Sequence, residues 1–232
     1  MEEIITFIRQ YSNWETEIHK SYNVQYNNGQ KFIQSAQNHN HPSLVTPFKN
    51  AVEYVGGSKI GRKQLFQAYQ GDDLYSAFIA TLMWGGDFRH YSQKFEAGKD
   101  VISSKLRHVK ELMTNGEVDG AFSSMLNSQA NYIKGVGMTY LTKILYFLGD
   151  GNNALVFDSV MRDVYYHIFN DFDEEKNYPS RGQEWADYSD YVAKMNKLKE
   201  HFSDGYKRVC DEELTAGHIE AFIFQHRSEL PR

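Results

Sequence analysis

Apolar residues recur at spacings of three and four along most of the chain and only four prolines interrupt it, which is the pattern of amphipathic helices joined by short Gly, Asn and Asp loops. Stretches with the two-residue alternation of strands are scarce. The periodicity predicts helices over 1–11, over 14–36 with a break near Asn27, Asn28 and Gly29, and over 90–96, 99–113 and 118–132. Further helices are expected from Asp158 to about Ile168 and over 185–202 and 216–225. Asp72 and Asp73 precede a helix with Leu74, Phe78, Ile79 and Leu82 on one face, ending at Met83-Trp84-Gly85-Gly86, so an aspartate there can cap it. Thr215 is placed to do the same before 216–225. No internal repeat or low-complexity tract breaks the pattern, and the expected fold class is all-α.

Composition narrows the setting. With 232 residues, 41% hydrophobic and 24% charged, the chain can bury a core without a metal or disulfide to staple it. Stretches such as 77–84 are too short to span a bilayer, and the opening Met-Glu-Glu-Ile lacks a secretion-signal pattern, so a cytoplasmic location is expected. The lone Cys210 excludes an intramolecular disulfide and a cysteine-rich zinc site. A net charge of −5 means that contact with nucleic acid must be made by a local patch against an unfavourable overall field. Aromatic content is high at 15%, with 16 Tyr and 15 Phe; such rings stack on unpaired bases, and they also fill helical cores.

Polar segments each have a plain reading and a functional one. His39 and His41, beside Pro42, could hold a metal, but this is ordinary loop chemistry and no metal site is expected. The loop 56–63, with Lys59, Arg62 and Lys63 among three glycines, could cradle phosphates or simply turn the chain. Lys99, Lys105, Arg107 and Lys110 form a basic face on 99–113, either solvated surface or one bank of a DNA-binding cleft. The acidic stretch 170–181 would repel a phosphate backbone and should lie away from DNA.

The segment richest in chemistry is 131–162. Residues 131–149 read as the end of a helix, a tight hairpin Lys134-Gly135-Val136-Gly137 and a second helix from Met138, in which Leu141, Ile144, Leu145 and Leu148 share a face and Gly149 sits at the C-terminal cap. Gly135 and Gly137 permit positive φ and close backbone approach, so the N–H groups opening the second helix can point at a phosphate. A short connection then leads through Ala154-Leu155-Val156-Phe157 to Asp158, directly before another helical pattern. Asp158 can be a helix cap, or a carboxylate facing the positive charge that grows on a sugar as a base departs; the two roles are compatible.

These residues resemble the helix-hairpin-helix DNA glycosylase superfamily, and the bacterial subgroup similar to 8-oxoguanine DNA glycosylases in particular. The likeness runs from Gly116 to Ile168, with Gly135 and Asp158 separated by 23 positions. Weaker likeness extends to Tyr75–Gly86 and to 218–224. The resemblance implies two helical lobes around a DNA-binding cleft, the expected division being 1–70 with 170–232 against 71–169. It implies Asp158 as catalytic carboxylate, a phosphate grip by Lys134, Gly135, Val136, Gly137 and Thr139, and a monovalent cation on hairpin carbonyls, with no other cofactor. Members that also cut the strand carry a lysine where Thr139 stands. A monofunctional enzyme is therefore expected, although Lys143, one turn along the same helix, could serve as the nucleophile of a glycosylase/lyase.

The implied partner is double-stranded DNA with one base flipped into a pocket, and the implied state a monomer. Trp84, Gln129, Phe157 and Arg162 are candidates to line that pocket, each also explicable by packing or surface pairing. The substrate suggested is an oxidised purine such as 8-oxoguanine, or a modified base of phage DNA in a defence role. The rivals are a non-catalytic helix-hairpin-helix DNA-binding protein, in which Asp158 only caps a helix, and a helical protein–protein module.

Overall fold

The computed structural model describes residues 1–39, 41–86, 95, 97–169 and 184–230. It is all-α: among the described residues the strands are β1 (Gln25–Tyr26) and β2 (Ile60–Gly61), paired antiparallel. The helices are α1 (Glu2–Arg9), α2 (Trp14–Tyr22), α3 (Asn28–Asn38), α4 (Pro42–Tyr54), α5 (Arg62–Gln70), α6 (Leu74–Gly85), α7 (Gly98–Thr114), α8 (Val118–Ser124), α9 (Met138–Leu148), α10 (Ser159–Val164), α11 (Glu184–Cys210) and α12 (Ala216–Gln225). A π-helical turn, Tyr165–Phe169, continues α10. Among the described residues no helix is long and apolar enough to cross a membrane. Apart from Phe95, the expected helix 90–96 lies outside the described residues, as does the acidic stretch 170–181.

The chain forms two compact units, Met1–Tyr22 with Asp150–Arg232, and Asn23–Gly149. These boundaries differ from the expected 1–70 with 170–232 and 71–169. Residues 23–70 fall with 71–149 because α3, α4 and α5 all pack on α6. The connection 150–169 falls with the C-terminal helices because it packs on α11.

In the unit 23–149, α6 is the centre. Its residues from Ser76 to Trp84 are all buried, with α3, α4, α5, α7 and α9 around it. As expected, Asp73 caps it, accepting from the Ser76 N–H at 3.2 Å. The basic face of α7 is largely spent inside this unit. Lys110 donates to the Tyr69 carbonyl (2.7 Å), Lys105 to the Tyr132 carbonyl (2.5 Å), and Lys99 lies 3.8 Å from Asp73. These lysines tie chain segments together, while Arg107 stays exposed.

In the other unit, α11 presents Tyr188, Tyr191, Met195, Leu198, Phe202 and Tyr206 at helical spacing, all buried, and packs on α2 and α12. At its C-terminal end, Glu212 gathers Tyr206 (2.6 Å), His19 (2.7 Å) and His218 (3.4 Å). Burial pushes the Glu212 carboxyl up, but hydrogen bonds from Tyr206 and His19 outweigh it and hold the carboxyl below its usual value. A depressed carboxyl stabilises the fold above the unfolded-state value, about 4.3, and that contribution is lost as pH falls through the folded value. Glu212→Gln should therefore flatten the acid limb of a stability-against-pH curve measured by urea unfolding.

Candidate functional site

The hairpin is built differently from its expected form. The helix before it, α8, ends at Ser124, not near residue 132, and Ser128 at φ 68° makes the intervening backbone non-helical. The side chain of Asn131 replaces the missing turns: it is buried, donates to Ser124 Oγ at 3.0 Å, and its N–H donates to the Ser124 carbonyl at 2.9 Å. The Val136 N–H then closes on the Ile133 carbonyl at 3.0 Å, with Lys134 and Gly135 as the central pair. Gly135 has φ 79°, the left-handed value at the third position of such a turn, where a side chain is strained.

Gly137 departs from expectation. Its φ of −86° and ψ of −178° are open to any residue, and among the described residues a Cβ there would meet nothing within 4 Å. The reason for glycine at 137 is not internal to the fold. The residue is exposed at the N-cap of α9, beside half-buried Met138 and Thr139 and exposed Lys134. Tyr140 and Leu141 both donate to the Gly137 carbonyl at 3.0 Å, and the N–H groups ahead of them open the helix with no intrahelical acceptor. Backbone donors, the positive end of the helix dipole and an unobstructed surface together suit an anion.

Along α9 every residue from Tyr140 to Leu148 is buried, so Lys143 cannot reach bulk solvent from this helix, and it is only 4% exposed. Its Nζ lies 5.9 Å from the centre of the Trp84 ring and 5.8 Å from that of Tyr140. Arg62 joins them, 3% exposed, with its guanidinium 5.1 Å from the same Trp84 ring. The loop 56–63 thus does not offer Arg62 to an external phosphate. Position 62 is three before buried Leu65 on α5, and that spacing was the available signal. Trp84 itself is 8% exposed, packed edge-on against Phe147 at 5.2 Å, and its indole N–H has no hydrogen-bond partner among the described residues. A ring held this way is part of the buried core. It cannot enter a duplex without leaving the core.

Asp158 belongs to the other unit, and its placement is fixed by tyrosines of α11. The extended segment before it is clamped where Tyr188 Oη accepts from the Leu155 N–H and donates to the Leu155 carbonyl, both at 3.0 Å. Tyr191 donates to the Val156 carbonyl at 3.3 Å. Phe157 is 1% exposed and packs among Tyr165, Tyr188 and Tyr191; its aromatic surface is consumed in that core. The chain then delivers Asp158, half-buried, to the N-cap of α10, where Oδ1 accepts from the Met161 N–H at 3.2 Å. The capping role is realised. Arg162, half-buried on α10, has no hydrogen-bond partner for its Nε among the described residues. Gln129 is exposed in the turn after α8, not on a helix.

A family model for 8-oxoguanine DNA glycosylase OGG-like proteins matches residues 31–224. The chain belongs to this OGG-like family. No curated protein and no solved structure matches it. The family match takes in the hairpin, Lys143 and Asp158 together.

Sequence reasoning on this OGG-like chain missed Tyr140, Asn131 and the Tyr188–Tyr191 clamp, and it read Arg62 and Lys105 as loop and surface cations where the fold buries the first and sets the second on a backbone carbonyl. The Tyr132 carbonyl, at the entry of the turn, holds the Lys105 ammonium at 2.5 Å, so a monovalent cation on the hairpin carbonyls would have to sit beside that charge. A second unit cation about 4 Å from it would cost about 4 kcal/mol at an effective dielectric of about 20.

The two hairpin glycines should separate in stability. Gly135→Ala, forced into the left-handed region, should cost about 1–2 kcal/mol. Gly137→Ser should cost nothing, since serine is at least as good an N-cap as glycine. Tyr188→Phe, which strips both Leu155 backbone groups of their partner, should cost about 1–3 kcal/mol. Urea unfolding of the three variants beside wild type checks the set.

Proposed function

We propose that the protein is a monofunctional DNA glycosylase, with Asp158 as its catalytic carboxylate and the turn at Lys134, Gly135, Val136, Gly137 and Thr139 as its grip on the DNA backbone. What carries this reading is the family match over 31–224, which embraces a turn open to an anion and a helix-capping aspartate 23 positions on. Both halves of the chemistry have a physical basis. The first N–H groups of α9 and the open space at Gly137 suit a phosphate. The Asp158 carboxylate, anchored through Oδ1, suits the positive charge that develops at C1′ of deoxyribose.

In the reaction the C1′–N bond breaks and its electron pair leaves with the base, which takes up a proton. Water adds to C1′ and loses a proton, giving a free base and an abasic site in an intact strand. Asp158 stabilises the cationic sugar and orients the water. The substrate class proposed is an oxidised purine such as 8-oxoguanine, with a bulky modified base of phage DNA as the other candidate. The flipped base is proposed to be read near Trp84, in a monomeric enzyme working in the cytoplasm.

A second reading makes Lys143 the nucleophile of a glycosylase/lyase; buried against Trp84 and Tyr140, its amine would have to be uncovered before it could attack a sugar. A glycosylase/lyase using Lys143 would be trapped on DNA by borohydride; the monofunctional enzyme would not.

Asp158→Asn should lower the single-turnover rate of base release about 10²–10³-fold while changing affinity for an abasic-analogue duplex by less than about threefold. Equal release by both proteins would reduce Asp158 to a cap. Gly137→Asp should weaken the same duplex at least about tenfold by setting a carboxylate against the phosphate.

A further inference from the structure

The proposed grip on DNA depends on a turn, and the turn depends on what holds its entry. Tyr132, half-buried, leads into the turn closed by Ile133 and Val136. Its carbonyl faces α7, where Lys105, half-buried one turn ahead of Val109, donates to it at 2.5 Å. Within the same three residues, Asn131 is tied twice to Ser124 and the Ile133 carbonyl accepts the Val136 N–H. A positive charge fixed on a main-chain carbonyl at this point does what a bound inorganic cation does: it compensates that carbonyl's dipole and opposes opening of the turn. Here the charge comes from the chain itself.

We propose that Lys105 is a positioning residue for the DNA-binding turn, an internal ammonium standing in place of a monovalent ion, so that the turn is set whatever the ionic composition of the solvent. The inference rests on the DNA-binding reading above for its consequence, but not for its geometry. Lys105 does not touch DNA in this account. It acts through the Tyr132 carbonyl, and its removal frees the entry of the turn while leaving Gly135, Gly137 and the start of α9 in sequence.

The test compares wild type, Lys105→Met and Lys105→Arg in potassium, sodium and tetramethylammonium chloride at one ionic strength. Affinity is read by fluorescence anisotropy on a duplex carrying a tetrahydrofuran abasic analogue, and amide hydrogen exchange is followed over residues 132–141. Wild type should bind equally within about twofold in all three salts, with unchanged protection of the turn. Lys105→Met should bind at least about tenfold more weakly in tetramethylammonium and recover in potassium or sodium, and Lys105→Arg should stay near wild type. A global loss of stability would not make binding depend on which cation is present.

Wild type that needs potassium or sodium, or a Lys105→Met loss equal in all three salts, would overturn the proposal. Should wild type bind no duplex in any salt, the DNA reading fails by itself. Hydrogen exchange then still decides: deprotection of 132–141 in Lys105→Met that potassium reverses upholds the internal cation, and unchanged protection overturns it.

Discussion

Gly135 must hold φ 79° for the chain to turn between Ile133 and Val136, and the direction of α9 follows from that turn. α9 is buried from Tyr140 to Leu148 and packs on α5, α6, α7 and α8, so its start cannot shift without disturbing most of the unit 23–149. A single left-handed glycine thereby couples the position of one surface loop to the core. The anchors around it serve the same end: Asn131 on Ser124, Lys105 on Tyr132 and the Gly137 cap all hold the turn from inside the unit. What remains unconstrained is the outer face at Gly137, where none of the described residues lies within 4 Å of a Cβ.

The other unit solves a parallel problem with aromatic hydroxyls. Asp158 follows a segment that belongs to no helix or strand, and such a segment would carry unsatisfied backbone groups if buried alone. Tyr188 and Tyr191 satisfy them from α11 while their rings enclose Phe157. Two of the sixteen tyrosines thus bury an irregular connection with its hydrogen bonds intact. Stacking on bases is a separate demand that the fully buried rings of Tyr69, Tyr146, Tyr165, Tyr188, Tyr191 and Tyr206 do not meet.

The sequence was a good guide where period and local capping decide structure. The all-α class, the Asp73 and Asp158 caps, the Gly135 turn and the helix from Met138 all follow from apolar spacing and the short-range needs of helix ends. It misled where distant partners decide. Residues 125–132 keep a helical spacing, yet the chain leaves the helix at Ser124 because Asn131 finds a better partner behind it. Lys105 and Lys110 look like solvated charge, and only the packing of α7 shows that backbone carbonyls receive them. Arg62 and Lys143 violate the apolar pattern of buried helices, and the Trp84 ring that accommodates them is remote in sequence. Lobe boundaries were misplaced for the same reason, since they are set by which helices pack together.

The central claim is that this OGG-like chain removes a base from DNA. The most direct measurement is mass spectrometry of the small molecules released by the wild-type protein from duplexes carrying oxidised, alkylated, deaminated or glucosylated bases. The account predicts that one class of free base appears, in step with abasic sites and with strands left uncut. Tight binding to these duplexes with no free base from any of them would contradict it and leave a non-catalytic DNA-binding protein.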